Sequence, residues 1–96
     1  MYVYILHCSD DTYYTGVTNN LKRRLSEHES GMNEGSYTSK RLPVKLVYHK
    51  IFMSPMEAIK YEKQVKDWSR KKKEALINGK YSELRKLAKK NFIKKE

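Results

Sequence analysis

The sequence predicts an α/β fold of the α+β type, with a small, mainly antiparallel three-stranded sheet flanked by helices in the order β-β-α-β-α-α-α. Three runs rich in β-forming residues alternate with polar or glycine-containing segments, and four helical patterns each follow a residue that can cap a helix. The chain has 96 residues and no evident repeat or linker. We therefore expect a single domain over 1–96, with a core at about 1–68 and a basic helical part at about 69–96.

The first two strands form a predicted hairpin. Residues 2–8 and 13–18 are rich in β-forming residues, and the polar stretch 9–12 separates them. Such a hairpin could bring Tyr4 and Tyr14 onto one small surface, where their phenol hydroxyls could act on a substrate. Core or cross-strand aromatic packing explains the same two residues without any function.

The remaining elements follow from strand composition and helix-capping signals. A third strand is expected at 44–52, after a polar loop at 31–43 that is long enough to be functional. The four helices are expected to follow Asn19 or Asn20, Ser54, Ser69 and Ser82, and to end near Ser30, Trp68, Asn78 and Phe92. The second start is the clearest, because a serine cap, a first-turn proline and the capping-box residue Glu57 coincide there.

Cysteine content and hydropathy bear on the compartment. Cys8 is the only cysteine, so no intramolecular disulfide can form, which favours a reducing, cytoplasmic setting. No apolar run approaches the roughly 20 residues that span a bilayer, and residues 1–6 lack the pattern of a signal peptide. We therefore expect a cytoplasmic protein without a membrane partner.

The chain is strongly basic, with 21 Lys and Arg against 11 Asp and Glu, a net charge of +10 and a pI near 9.7. Residues 54–96 carry 14 basic and 6 acidic residues, a net charge of +8. Clustered positive charge predicts a polyanionic partner, most often nucleic acid. A solvated helix surface could account for any single lysine, and a basic membrane helix is a weaker alternative. Candidate nucleic-acid contacts are Tyr37, Lys40, Arg41, Arg70, Lys71, Lys72 and Lys73.

The first helix breaks the simple amphipathic pattern. Leu21, Arg24, Leu25 and His28 fall at i, i+3, i+4 and i+7, so they share one face of the helix. An arginine and a histidine therefore occupy the side that should meet the sheet.

The second helix contains a similar anomaly. Its apolar stripe runs through Ala58, Tyr61, Val65 and Trp68, and Glu62 lies inside the stripe. A carboxylate on an inward face is costly unless it is paired or binds a cation. One interpretation is a buried salt bridge to the arginine of the first helix, or side chains that reach solvent from the edges of the stripes. The other is that polar groups from both helices converge on the tyrosine hairpin.

At this point the sequence resembles a known family. Tyr2-Val3-Tyr4, Tyr14-Thr15-Gly16, the run 20–25 (Asn-Leu-Lys-Arg-Arg-Leu) and the later Glu62 resemble the GIY-YIG nuclease domain over residues 1–68. The continuation at 68–73 is similar to small standalone bacterial members related to the N-terminal nuclease domain of the excision-repair protein UvrC.

The resemblance implies a role for each polar residue. Glu62 would hold one divalent metal ion, Mg²⁺ or Mn²⁺, and Arg24 would offset charge on the pentacovalent phosphorus. Tyr4 would help to deprotonate the attacking water, which requires a metal or cationic neighbours to lower the pKa of a phenol. Tyr14 would orient water or phosphate, and His28 could relay a proton or bind phosphate.

The chain also departs from the family pattern. Tyr2 replaces the glycine of the first motif, and Thr15 replaces the isoleucine of the second. Val17 stands where some relatives carry a lysine that assists catalysis. Family nucleases usually gain target choice from an attached DNA-binding domain, and here only the basic tail could supply it, so a protein partner could provide specificity.

Two functions from different classes follow. The first is a divalent-metal-dependent endonuclease that hydrolyses DNA phosphodiester bonds and selects substrate by structure rather than by base sequence, as expected for DNA repair. The second is a non-catalytic nucleic-acid-binding module on an eroded nuclease scaffold. The complete set of tyrosines, arginine and glutamate favours the enzyme, because a binding module has no evident need of it. A purely structural domain with a solvated basic surface would leave Arg24 and Glu62 unexplained.

Overall fold

Six regular elements make up the part of the chain that the computed structural model describes, residues 1–30 and 38–79. They are β1 (Tyr2–His7), β2 (Tyr13–Thr18), α1 (Leu21–Ser30), β3 (Lys45–Ile51), α2 (Pro55–Lys66) and α3 (Arg70–Ile77). An antiparallel three-stranded sheet with helices confirms the predicted α+β class. The predicted last helix, 83–92, and Tyr37 lie outside the described residues. The chain divides into two compact units, Met1–Lys66 and Asp67–Glu96.

The first strand is the centre of the sheet, whose strand order is β2-β1-β3. Tyr4 is paired with Gly16 on β2 and with His49 on β3. The pairing with β3 shifts register between Ile5 and Leu6, which marks a β-bulge. Because paired residues share a face of the sheet, the Tyr4 side also carries Tyr14, two residues along β2.

The helix starts agree with the capping residues that the sequence predicts. The Asn20 Oδ1 accepts a hydrogen bond from the backbone N–H of Arg23 at 3.1 Å, which satisfies one free donor of the first turn of α1. Ser54 caps α2 through the N–H of Glu57 at 3.4 Å. Ser69 caps α3 through the N–H of Lys72 at 3.3 Å.

The second helix ends at Lys66, two residues before the expected end at Trp68. The cause is the start of the next helix. Ser69 adopts an extended conformation, with φ −63° and ψ 159°, because an N-cap residue needs non-helical dihedral angles. The chain therefore leaves α2 before Trp68, which was wrongly assigned to the apolar stripe of that helix.

The core of the first unit is built around β1. Val3, Tyr4, Ile5 and Leu6 are each at most 1% exposed, so both faces of this strand are covered. The packing of α2 against β1 and β2 buries Ala58, Val65 and, inside the same stripe, Glu62. Within residues 1–30 and 38–79, no helix has the length and apolar character needed to cross a bilayer.

Thr15 carries a buried hydroxyl on the sheet face opposite Tyr4. It pairs with Ile5 and is 3% exposed, and its Oγ1 has no hydrogen-bond partner among the described residues. Replacing Thr15 with valine keeps the β-branched shape and removes this buried oxygen. We expect the free energy of unfolding, measured by urea denaturation, to rise by about 1 kcal/mol. The control Thr12→Val should instead lower the free energy of unfolding, because the Thr12 hydroxyl donates to Asp10 at 2.6 Å. A loss of stability in Thr15→Val would contradict the prediction.

Candidate active site

Tyr4 lies over a glycine on the neighbouring strand. Its side chain is 1% exposed, and the position of a Cβ built on Gly16 would be 2.5 Å from both the Cζ and the hydroxyl oxygen of Tyr4. The glycine of the second tripeptide therefore makes room for the ring of the first. The ring centroids of Tyr4 and Tyr14 are 6.3 Å apart, so the hairpin places both phenols on one surface.

His28 closes this cluster from α1. Its Nε2 lies 2.9 Å from the Tyr4 hydroxyl, and its ring centroid is 5.8 Å from that of Tyr4 and 5.3 Å from that of Tyr14. The imidazole is 6% exposed, as its place on the inward face of the helix requires. The other ring nitrogen, Nδ1, lies 2.7 Å from the Oγ1 of Thr38.

Burial sets the protonation state of both groups. It raises the pKa of Tyr4 to about 12, helped by the nearby Tyr14, and the Arg24 guanidinium offsets this only in part. This phenol is therefore neutral at physiological pH, because the lowering of its pKa by Arg24 is smaller than the effect of burial. Burial, with Arg24 adding to it, lowers the pKa of His28 below its ordinary value. A neutral phenol thus faces a neutral imidazole.

A polar cleft of about 140 Å³ lies along the first turns of α1. Arg24 is part of its lining, and the Nε of Arg24 lies 3.3 Å from Oε1 of Glu27. Arg23 contacts the other oxygen of the same carboxylate, with Nε and Oε2 3.5 Å apart. Glu27 was not among the predicted site residues, although its spacing of i+3 and i+4 from two arginines is a helix-pairing signal.

Glu62 is a buried carboxylate on α2. It is 8% exposed, and its Oε2 lies 3.0 Å from the Nζ of Lys66, one turn further along the helix. This contact with Glu62 is the main reason why the pKa of Lys66 is raised, and the charge of Tyr14 contributes in the same direction. The salt bridge from Arg24 to Glu62, one of the two sequence-based interpretations, is absent from the described ion pairs, because each partner is paired on its own helix.

The donor set of this region suits a hard divalent cation only in part. Among the described residues, no three His, Cys, Asp or Glu side chains form a group that could hold a metal ion. Glu62 still offers carboxylate oxygens, and Mg²⁺ is commonly held by one or two carboxylates with water and substrate phosphate as the other ligands. The residues therefore fit an ion that binds together with its substrate.

The predicted nucleic-acid contacts near the hairpin differ from each other. Lys40 is exposed. Arg41 is half-buried, and its Nε lies 2.8 Å from the Oδ2 of Asp10. The guanidinium of Arg41 is thus engaged within the protein, and its role as a phosphate contact stays a prediction.

The basic run at the start of α3 is not a uniform exposed surface. Arg70 and Lys71 are exposed, and the Nε of Arg70 lies 3.4 Å from Oε2 of Glu74. The ammonium of Lys72 stacks 4.3 Å from the ring centroid of Trp68, a cation–π contact. Burial lowers the pKa of Lys72 and of Lys73. Among these four residues, the geometry leaves Lys71 as the clearest candidate for a phosphate contact.

Comparison with known proteins identifies the family of this chain. The model of the GIY-YIG catalytic domain matches residues 1–75. A UPF0213 protein of Syntrophus aciditrophicus is 50% identical over 76 residues, which cover 79% of this chain and 87% of the relative. A UPF0213 protein of Natronomonas pharaonis is 48% identical over 77 residues, which cover 79% of this chain and 88% of the relative. The solution NMR structure of a UPF0213 protein from Bacillus halodurans matches with a TM-score of 0.53 and 45% identity, over 80% of this chain and 81% of that one. The chain therefore belongs to the GIY-YIG family, among its small UPF0213 members.

Proposed function

We propose that the protein is a divalent-metal-dependent endonuclease that hydrolyses phosphodiester bonds in DNA. The observation that carries the proposal is the 2.9 Å contact between the Tyr4 hydroxyl and the His28 Nε2. A buried phenol with a raised pKa is a poor base alone. Beside an unprotonated imidazole, it can take a proton from water while passing its own proton on.

The proposed reaction is an in-line attack of water on the scissile phosphorus. Tyr4 oxygen accepts a proton from the water as its own proton moves to His28 Nε2. The new bond joins the water oxygen to phosphorus, and the bond from phosphorus to the leaving oxygen breaks. Arg24, in the polar cleft, offsets the extra charge on the phosphate oxygens, and Tyr14 orients the water or phosphate.

Glu62 would hold one Mg²⁺ or Mn²⁺ ion. When bound, such an ion polarises the phosphate and stabilises the leaving oxygen. Lys66 would have to give up its contact with Glu62 on metal binding, and its side chain is 55% exposed, so it can turn to solvent. The ion pair then serves to neutralise the buried carboxylate before a metal ion arrives.

The proposed substrate is DNA of a particular structure, such as a flap or a branch, since the net charge of +10 favours the phosphate backbone without base readout. We propose that a protein partner supplies further specificity, and that the enzyme acts in the cytoplasm, in DNA repair. The single, buried Cys8 is compatible with a reducing compartment.

The test is a nuclease panel of duplex, nicked, flapped and single-stranded DNA, and RNA, with Mn²⁺ or with EDTA. We expect cleavage of a structured DNA only with metal, and a loss of about 100-fold in Tyr4→Phe. Tyr48→Phe is the matched control, because it removes a hydroxyl that contacts Tyr61 at 3.2 Å on the other face of the sheet. Cleavage in EDTA, or equal rates for the two variants, would reject the proposal. Salt-sensitive binding without any cleavage would establish the non-catalytic alternative.

The pH dependence of cleavage follows from His28. Its pKa is lowered from about 6.5, so the imidazole stays unprotonated to below that pH and can accept a proton. We expect kcat/KM to fall only when the pH drops below 6.5. The stability of the fold should decline over the same range, because the unfolded chain binds the proton first. The pH profiles of kcat/KM for wild type and for His49→Asn, which removes an exposed histidine, should coincide. An acid limb centred above pH 6.5 would contradict the assignment of this limb to His28.

A further inference from the structure

We propose that Thr38 is a positioning residue that fixes the tautomer of His28 and leaves its Nε2 unprotonated toward Tyr4. The inference deepens the proposed function and rests on it, because there His28 receives the proton of Tyr4. Thr38 belongs to no regular element and gave no periodic signal in the sequence. Its position relative to the imidazole is what assigns it a role.

The imidazole is held at both nitrogens. Thr38 is 1% exposed, and its Oγ1 lies 2.7 Å from His28 Nδ1, while the Tyr4 hydroxyl lies 2.9 Å from Nε2. A neutral imidazole has one nitrogen that donates and one that accepts. Which nitrogen carries the hydrogen therefore depends on what the two hydroxyl groups require.

The hydrogen-bonding needs of Tyr4 indicate which tautomer Thr38 holds. With a pKa of about 12, this phenol keeps its hydrogen at neutral pH, and its oxygen also interacts with the Arg24 guanidinium, which can only donate. The Tyr4 O–H then needs an acceptor, and His28 Nε2 stands at hydrogen-bonding distance. The hydrogen of the imidazole is consequently on Nδ1, from which it is donated to Thr38 Oγ1.

The groups around His28 keep its imidazole neutral, so the choice is only between its two neutral tautomers. Tyr4 from β1 and Tyr14 from β2 face the ring, and Arg24 and Glu27 act on it from α1. Burial and Arg24 disfavour the imidazolium, while Glu27 favours it less strongly. Since the ring is neutral, the partner at Nδ1 determines whether Nε2 can accept a proton at all.

The hydroxyl of Thr38 is itself held in place by the hairpin. The carbonyl of Thr38 accepts from the N–H of Arg41 at 3.0 Å, and the carbonyl of Arg41 accepts from the N–H of Ser9 at 2.9 Å. The contact of Arg41 with Asp10 ties the same turn to the connection between β1 and β2. This gives Arg41 a structural role, because it helps to fix the turn that presents Thr38 to His28.

The test combines ¹⁵N NMR of the His28 side chain with cleavage kinetics in wild type, Thr38→Val and Thr38→Ser. In wild type and in Thr38→Ser, we expect the hydrogen on Nδ1. In Thr38→Val, which keeps the shape and lacks the acceptor, the population should shift toward hydrogen on Nε2. We expect kcat to fall by about 10- to 100-fold in that variant, with KM little changed, and to be largely retained in Thr38→Ser.

Thr15→Val is the control, because it also removes a buried threonine hydroxyl, but on the opposite sheet face; it should keep the wild-type tautomer and rate. Hydrogen on Nε2 in wild type would overturn the proposal, and so would an unchanged tautomer in Thr38→Val. If Thr38→Val does not fold, the wild-type spectrum still tests the tautomer, and Thr38→Ser still tests whether a hydroxyl at this position is sufficient. If the tautomer shifts as expected but the wild type cleaves no substrate, the endonuclease proposal fails while the assignment of Thr38 stands.

Discussion

Replacing Glu62 with glutamine is expected to lower the metal-dependent cleavage rate by about 1,000-fold, which corresponds to the several kcal/mol that a metal ion contributes to such reactions. The substitution keeps the size of the side chain and removes the charge that would hold the cation. The fold should survive, since Lys66, the partner of Glu62 in its ion pair, is already half exposed and can be solvated. Single-turnover cleavage with Mn²⁺ measures the effect.

Glu57→Gln is the matched control for this experiment. Glu57 lies on the same helix but is exposed, near the cap formed by Ser54. The Glu57→Gln enzyme should cleave at the wild-type rate. Binding of Mn²⁺ in the presence of a DNA substrate that cannot be cleaved, measured by electron paramagnetic resonance, should weaken in Glu62→Gln alone. A Glu62→Gln enzyme that retains more than about a tenth of the rate would remove Glu62 from the metal site.

Replacing Gly16 with alanine is expected to reduce both cleavage and stability, although it adds a single methyl group. The new Cβ would lie 2.5 Å from the Cζ and the oxygen of Tyr4, so the phenol ring must move. The ring is buried and has little free space, so we expect the free energy of unfolding to fall by about 1–3 kcal/mol. Displacement of the hydroxyl from His28 should lower kcat by about 100-fold.

Gly79→Ala separates this steric effect from the backbone cost of losing a glycine. Gly79 has a φ of +70°, but a Cβ there would meet nothing within 4 Å. Its replacement should cost about 1 kcal/mol of stability and leave cleavage unchanged. In a double-mutant cycle, Gly16→Ala should add little to the activity loss of Tyr4→Phe, because both remove the same hydroxyl from its position. Full activity in Gly16→Ala would show that the contact with His28 is dispensable.

Local patterns predicted most of the described fold. Strand composition located the hairpin, and the capping residues Asn20, Ser54 and Ser69 marked helix starts that the structure confirms. The end of α2 was misplaced because an apolar stripe continues through Trp68 even though the next cap stops the helix. A periodic pattern extends past such a boundary, whereas the backbone conformation required by a cap does not.

The candidate site was less accessible to sequence reasoning. Arg24, His28 and Glu62 were found because each breaks a helical stripe, which is a local signal. Thr38 lies ten residues from its partner His28 in an irregular segment, so no period connects the two residues. The partner of Arg41, Asp10, is 31 residues away, and in the sequence Arg41 resembled a free cation for phosphate. Such pairings depend on the closed fold.

The raised pKa of Tyr4 has the same origin. A tyrosine that shares a site with an arginine suggests a phenol that is easier to ionise, whereas core packing of the same tyrosine predicts the opposite. The opposing effect is the burial of Tyr4 on the central strand, which outweighs the guanidinium. The cost of desolvation is a property of the packed sheet rather than of neighbours along the chain.

The central position of β1 affects how activity could be recognised among related chains. Tyr4 is one of the largest fully buried side chains within residues 1–30 and 38–79, so the fold would tend to retain an aromatic residue there even after catalysis was lost. Its presence in a relative is therefore a poor indicator of an active enzyme. Arg24 is partly exposed and, like Glu62, contributes charge rather than bulk to the interior. In an inactive descendant, Arg24 and Glu62 should be the first of the site residues to be replaced.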